Sequence, residues 1–227
     1  MLSEFGPSIY IADGPTINFY GMHLSIRMVV VRLSDGRVWV WSPIPLSDAL
    51  AQEVEALGPV SYIVSPNKIH HLSMGEWARR WPDARLYASP GLETKEPDLH
   101  FHAELQDAPD PGWADDIDQV IFHGSFFMEE VVFFHRASKT AIMADLIERN
   151  HPEHRSHLER EVLRIGGVLG KDGTTPIDWR MTFSDHDAAR AARKTLLEWK
   201  PEQLVVAHGD CARSGATQVI EKALAWI

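Results

Sequence analysis

A chain of 227 residues, 44% of them hydrophobic, is long enough to enclose a large core, and its near-average glycine, proline and charge contents exclude disordered and fibrous classes. Its 32 acidic residues against 22 basic ones leave a formal charge of −10, which argues against non-specific nucleic-acid binding and against docking on an anionic membrane. The single cysteine, Cys211, excludes an internal disulfide framework and fits a reducing compartment. Residues 1–6 lack the basic and apolar regions of a signal peptide, and no apolar run approaches the roughly 20 residues that span a bilayer. The expectation is a soluble cytoplasmic protein, one domain over residues 1–227, whose partner is a small molecule. Twelve histidines are an excess whose meaning depends on where they fall.

The first third reads as strands. Residues 26–33 are β-branched and apolar, Ser34-Asp35-Gly36 signals a turn, and Val38-Trp39-Val40-Trp41 follows, which predicts a hairpin. Pro43 and Pro45 end that strand. Ser47 is placed to cap a helix over residues 48–57, and Gly58 to stop it. An apolar strand over 60–64 runs into Ser65-Pro66-Asn67-Lys68-Ile69-His70-His71, and a helix is expected over 74–81. Residues 85–88 form a short strand closed by Ser89-Pro90-Gly91. The stretch 93–113 reads as loop with an edge strand at 100–105, where His100 and His102 share a face. Further strands are expected at 118–122, 130–134 and 140–144. A helix follows over 151–163, then a flexible loop over 166–175 and a helix over 185–199 capped by Ser184. A strand at 204–207 and a helix over 216–226 finish the chain.

Three of these strands lead straight into metal-ligating side chains: 60–64 into His70 and His71, 140–144 into Asp145, and 204–207 into His208. Strands this apolar belong to the core, so the polar group at each end sits at its rim. If the strands are neighbours, the groups converge. His-His-Asp-His is a chemically complete four-ligand set for Zn²⁺, with Fe²⁺ or Mn²⁺ as alternatives. The bland reading is a cap and a packed ring. The triplet His151, His154 and His157 is best read as a solvated helix face, Asp185-His186-Asp187 as a capped helix start, Cys211 as a buried thiol, and Trp39, Trp41, Trp77 and Trp199 as core.

The pattern resembles the metallo-β-lactamase superfamily, and more closely an uncharacterised branch of it known mainly as a domain of unknown function. The likeness rests on Arg27-Met28 with Leu33-Ser34-Asp35-Gly36, Ser42-Pro43-Ile44, Pro66-Asn67-Lys68-Ile69-His70-His71, Ser89-Pro90-Gly91-Leu92, Ser138-Lys139-Thr140 with Asp145-Leu146, and His208-Gly209. It spans nearly the whole chain. The resemblance implies an α/β (α+β) fold, a four-layer αβ/βα sandwich of two mixed sheets packed face to face with helices outside. Laid over the superfamily's H-x-H-x-D-H hallmark, this chain has Pro66 and Lys68 at the first two histidines and His70 at the aspartate. The resemblance therefore implies at most one metal site, held by His70, His71, Asp145 and His208. Either Lys68, an ammonium group where a metal ligand is missing, grips an anion, or it is a solvated loop lysine. His123 takes the place of the family's third histidine as a ligand or acid/base. His70 is a candidate for catalysis if it is not a ligand.

The leading expectation is a metal-dependent hydrolase of a small ester, lactone, thioester or phosphoester. The alternative is a non-catalytic member of the fold that binds a small molecule or a partner. Redox chemistry at iron, which some superfamily members perform, is a weaker third reading.

Overall fold

The computed structural model describes residues 1–19, 22–150, 153, 157–170 and 172–227. Strands β1 (Ser3–Gly6), β2 (Ile9–Asp13), β5 (Arg27–Arg32), β6 (Val38–Trp41), β7 (Val60–Val64), β8 (Arg85–Ala88) and β9 (Ala103–Glu104) form a seven-stranded sheet in the order β1-β2-β5-β6-β7-β8-β9. Its first four strands are antiparallel and the run from β6 to β9 is parallel. A small hairpin of β3 (Ile17–Phe19) and β4 (Met22–Leu24) stands apart from it. The second sheet is β10 (Ile117–Phe122), β11 (Glu130–His135), β12 (Thr140–Met143) and β13 (Gln203–Val206), with β12 and β13 parallel.

The continuous apolar runs are explained by burial on both faces of each sheet, the usual reason a strand reads Val-Trp-Val-Trp rather than alternating with polar residues. Val29, Val31, Trp39, Trp41 and Val64 meet Val131, Phe133, Ile142 and Val205 between the sheets. Trp39 sits edge-on to Phe133 with ring centroids 5.1 Å apart. The opposite faces alternate out of register with these. Met28, Val30, Val40 and Ile63 pack against Leu50, Val54, Met74 and Trp77 of helices α1 (Asp48–Glu55) and α2 (Met74–Arg80). Val132, Met143, Leu204 and Val206 pack against Ala189 and Leu196 of α6 (His186–Glu198) and Ile220 of α7 (Ala216–Ala223). The result is the expected four-layer sandwich of helices, sheet, sheet and helices.

Several sequence expectations need adjustment. Ser184 does not cap α6: its N–H and hydroxyl bind the Gly124 carbonyl, and Asp185 caps instead, accepting from the Asp187 and Ala188 amides at 3.0 Å each. The edge strand at 100–105 shrinks to β9, bracketed by the His102 and Leu105 amides on the Leu86 and Ala88 carbonyls, and His100 is not part of it. Short helices α3 (Leu92–Lys95) and α5 (Ile177–Arg180), and the four N-terminal strands, were not individually predicted. Helix α4 (His157–Ile165) begins at an exposed His157, while His151 and His154 lie outside the described residues.

Away from the rim of the sandwich, His135 ends β11 in full burial, its Nδ1 2.7 Å from the Ser138 hydroxyl. Burial pushes its imidazole pKa down to about 4, against a smaller upward pull from Asp116. The unfolded chain therefore takes up this proton first. The stability that the neutral ring contributes is present above pH ~6.5 and is lost as pH falls through about 4, up to about 3 kcal/mol in all. Thermal unfolding of the wild type and His135→Gln between pH 7 and 4 should show the wild-type advantage narrowing as pH falls. A constant gap contradicts this.

Candidate metal centre

The loop after β7 is shaped by its own polar side chains. The Ser65 hydroxyl lies 2.7 Å and 2.9 Å from the carbonyls of Asn67 and His70. Asn67 Oδ1 accepts from the Ile69 and His70 amides at 2.9 Å and 3.1 Å, a local turn of the kind asparagine favours. This turn presents the His70 ring, which stacks near Trp41 and places Nδ1 2.8 Å from the Ser42 hydroxyl. From the other sheet, the adjacent parallel strands β12 and β13 deliver Asp145 and His208 side by side.

The three groups meet across the gap between the sheets. His70 Nε2 is 3.2 Å from His208 Nε2 and 3.3 Å from Asp145 Oδ2, and His208 Nε2 is 3.1 Å from Asp145 Oδ1. His208 Nδ1 lies 2.6 Å from the Ser25 carbonyl, an acceptor only, so Nδ1 carries a hydrogen and Nε2 is the ring atom turned into the cluster. Arg27 steadies this turn by donating to the Val206 and Gly209 carbonyls at 2.6 Å and 2.9 Å. Gly209, at φ +91°, is required here because any side chain would collide with the Arg149 carbonyl.

The donor set fits a tetrahedral divalent ion. Two ligand atoms about 2.0–2.1 Å from a zinc ion at the tetrahedral angle are about 3.3–3.4 Å apart, close to the nearest approach within each pair, for which Asp145 turns Oδ2 to His70 and Oδ1 to His208. Three protein ligands with a position left open is the arrangement of catalytic rather than structural zinc. The electrostatics agree. Burial pushes the His208 imidazole pKa down, but the hydrogen bond and charge of Asp145 outweigh it and raise it to about 9. Burial also pushes the Asp145 carboxyl up, and the two imidazoles overcome this to hold it well below the usual carboxylate range. A site that draws positive charge toward Asp145 this strongly is suited to a cation.

Of the residues expected from the sequence, His70, Asp145 and His208 come together, and His71, Lys68 and His123 do not. Three of the four expected ligands stand together as a group that could hold a metal, and His71 stands outside it. His71 turns the other way, its Nε2 3.1 Å from Lys95 Nζ and 3.6 Å from Glu96. Burial and then Lys95 push its pKa down, so it is a neutral acceptor for the lysine. Lys68 donates to the Phe127 carbonyl and lies 4.9 Å over that ring, and it does not line the cavity that opens onto the cluster. His123 is held between Glu129 at 2.8 Å and Asp107 at 3.2 Å; burial lowers its pKa, but these two bonds win and raise it.

The sequence reading missed Glu130. It opens an otherwise apolar strand and is fully buried. Its Oε1 accepts from the Ala144 and Leu146 amides at 2.8 Å and 3.3 Å, and its Oε2 from the Asp145 amide at 2.8 Å and from Asn67 Nδ2 at 2.9 Å. The Asn67 amide donates again to Asp145 Oδ2 at 2.7 Å. Burial and the Asp145 charge push the Glu130 pKa up to about 7, while these bonds pull it down. All four partners are donors, so the ionised form is the one this cage receives. A lone carboxylate at the head of an apolar strand was the available signal.

Comparison with solved structures places this architecture in the metallo-β-lactamase fold. The metallo-β-lactamase DIM-1 exposed to ceftazidime is similar at a TM-score of 0.65 and 15% identity, over 98% of this chain and 95% of that one. The metallo-β-lactamase FIM-1 from Pseudomonas aeruginosa, in its mono-zinc form, gives 0.60 and 14% over 98% and 95%. The rubredoxin:oxygen oxidoreductase from the anaerobe Desulfovibrio gigas gives 0.69 and 10%, over 100% of this chain and 61% of that one. No curated protein matches the chain. A family model described as "Domain of unknown function (DUF4336)" matches residues 14–162, and the chain belongs to that family.

Replacing Glu130 by Gln turns one acceptor oxygen into a donor facing backbone N–H groups. We expect a loss of stability of about 1–3 kcal/mol by urea unfolding and zinc affinity weaker by about 10–100-fold. A variant with wild-type stability and affinity contradicts the role given to this carboxylate.

Proposed function

We propose that the protein is a metal-dependent hydrolase with a single metal site formed by His70, Asp145 and His208. The observation that carries this is that the three side chains, from two sheets, each approach the other two to 3.1–3.3 Å, Asp145 using Oδ2 toward His70 and Oδ1 toward His208. Three protein ligands would leave a coordination position for substrate or water. Bound there, a divalent ion supplies Lewis acidity, polarising a carbonyl or phosphoryl oxygen and bringing the pKa of water toward neutrality. Two imidazoles and one carboxylate favour Zn²⁺, with Fe²⁺ or Mn²⁺ next.

The chain's own residues do the rest. Ser42 and the Ser25 carbonyl fix the two rings, and Asn67 and Glu130 fix the carboxylate. A cavity of about 230 Å³ opens onto the three ligands, walled by Leu24, Ile26, Ile44, Ile69 and Leu72, which limits water around a bound substrate. Its volume lies below the roughly 300–1,000 Å³ of pockets for drug-sized ligands and suits a small ester, lactone, thioester or phosphoester. Among the described residues no helix is long and apolar enough to cross a membrane, and the cytoplasmic location rests on the single cysteine. One observation favours the alternative of a non-catalytic binding protein: Pro66 and Lys68 stand where the fold's other ligands would be, and Lys68 is engaged by the Phe127 carbonyl.

Elemental analysis of protein purified from zinc-supplemented medium tests the proposal. Near-stoichiometric metal is expected in the wild type and in His71→Ala and His123→Ala, and less than a tenth of it in Asp145→Ala and His208→Ala. A wild type that takes up no metal on reconstitution, or a His208→Ala variant that keeps its full complement, contradicts it.

A further inference from the structure

The cavity beside His70, Asp145 and His208 is apolar along much of its wall, with Ser42, Ser73 and Lys95 as its further polar side chains. Among the described residues that line it, Lys95 alone carries a fixed positive charge. It is the last residue of α3, a single turn anchored by the buried Leu92. The residue is exposed, but its ammonium group is held in place. It donates to the Lys68 carbonyl at 2.7 Å and to His71 Nε2 at 3.1 Å. Those two acceptors lie on either side of His70 in the chain, so the cation is registered to the same loop that positions a ligand. An ammonium group has three N–H donors, and these two contacts leave one uncommitted.

The charges within the cavity are unbalanced. Asp145 contributes one negative charge, Lys95 one positive charge, and His70 and His208 offer neutral lone pairs to a divalent ion. With that ion in place the wall is net positive, although the protein as a whole carries −10. Lys95 is exposed at the cavity wall, so a neutral guest leaves it solvated and merely forgoes the pairing. An anionic group on the guest would pair with it at a preorganised position.

We propose that this cavity binds a small, largely apolar molecule bearing one anionic group, a carboxylate or a phosphate, and that Lys95 receives that group. The inference deepens the hydrolase reading, on which it rests for the role of the ligand cluster, by naming the substrate class. It also assigns His71 a purpose, as a positioning residue for Lys95.

Titration calorimetry on the zinc-reconstituted full chain, with zinc content measured on each preparation, tests it. The probes are hexanoate, hexyl phosphate, 1-hexanol and hexylamine. At least one of the two anions should bind tenfold or more tightly than hexanol or hexylamine, and the tighter anion identifies the group. Lys95→Met should lose this preference at unchanged zinc content and thermal midpoint, and Lys95→Arg should keep most of it. Equal binding of hexanol and both anions, or an anion preference that survives Lys95→Met, overturns the inference. The two readings separate cleanly. Zinc uptake without anion preference sinks the inference and leaves the hydrolase reading standing, whereas a Lys95-dependent preference in protein that takes up no zinc does the reverse.

Discussion

The Glu130 carboxylate is the interaction on which the centre depends. It is buried on β11 and gathers the amides of three consecutive residues, Ala144, Asp145 and Leu146, just where β12 ends. Those N–H groups have left the β-ladder and would otherwise be buried without partners, at about 1–3 kcal/mol each. The same carboxylate receives the Asn67 amide from the loop that follows β7 in the opposite sheet. A backbone bond from the Val131 amide to the Pro66 carbonyl, 2.8 Å long, runs beside it. One anion therefore sets the end of a strand, aims Asp145 and ties the two halves of the sandwich together at the rim where the ligands meet.

This arrangement explains why a degenerate motif can still form an ordered centre. The loop residues Pro66 and Lys68 contribute no ligand, yet the loop is rigid because Ser65 and Asn67 satisfy its backbone. His70 gains a fixed ring from Ser42, and its neighbour His71 serves Lys95 instead of the cluster. Here the two consecutive side chains point apart, His70 beside the Ser42 hydroxyl and His71 beside the Lys95 ammonium group. What looks in sequence like two adjacent ligands is in space one ring beside Asp145 and His208 and another that anchors a cation.

Much of the sandwich was legible in the sequence because its strands are buried on both faces. The runs at Val29–Val31 and Val38–Trp41 have no other explanation, and turn residues such as Gly36 separate them. Asp145 and His208 were legible for the same reason, each being the first polar side chain after an apolar strand. Their convergence with His70 was expected from neighbouring strands, whereas only β12 and β13 are adjacent and β7 lies in the facing sheet. Glu130, Asn67 and Lys95 stayed hidden because their roles depend on contacts 63 to 78 positions apart, as between Asn67 and Glu130 or Asp145, or on a helix of a single turn. Strands β1 and β2 stayed hidden because they are short and only partly buried.

The central claim is that His70, Asp145 and His208 share one ion across the two sheets. Diffraction from zinc-grown crystals, recorded at and below the zinc absorption edge, tests it most directly. The account predicts one anomalous peak within bonding distance of both Nε2 atoms and an Asp145 oxygen. A peak at His71 or His123 instead, or none between the three residues, contradicts it.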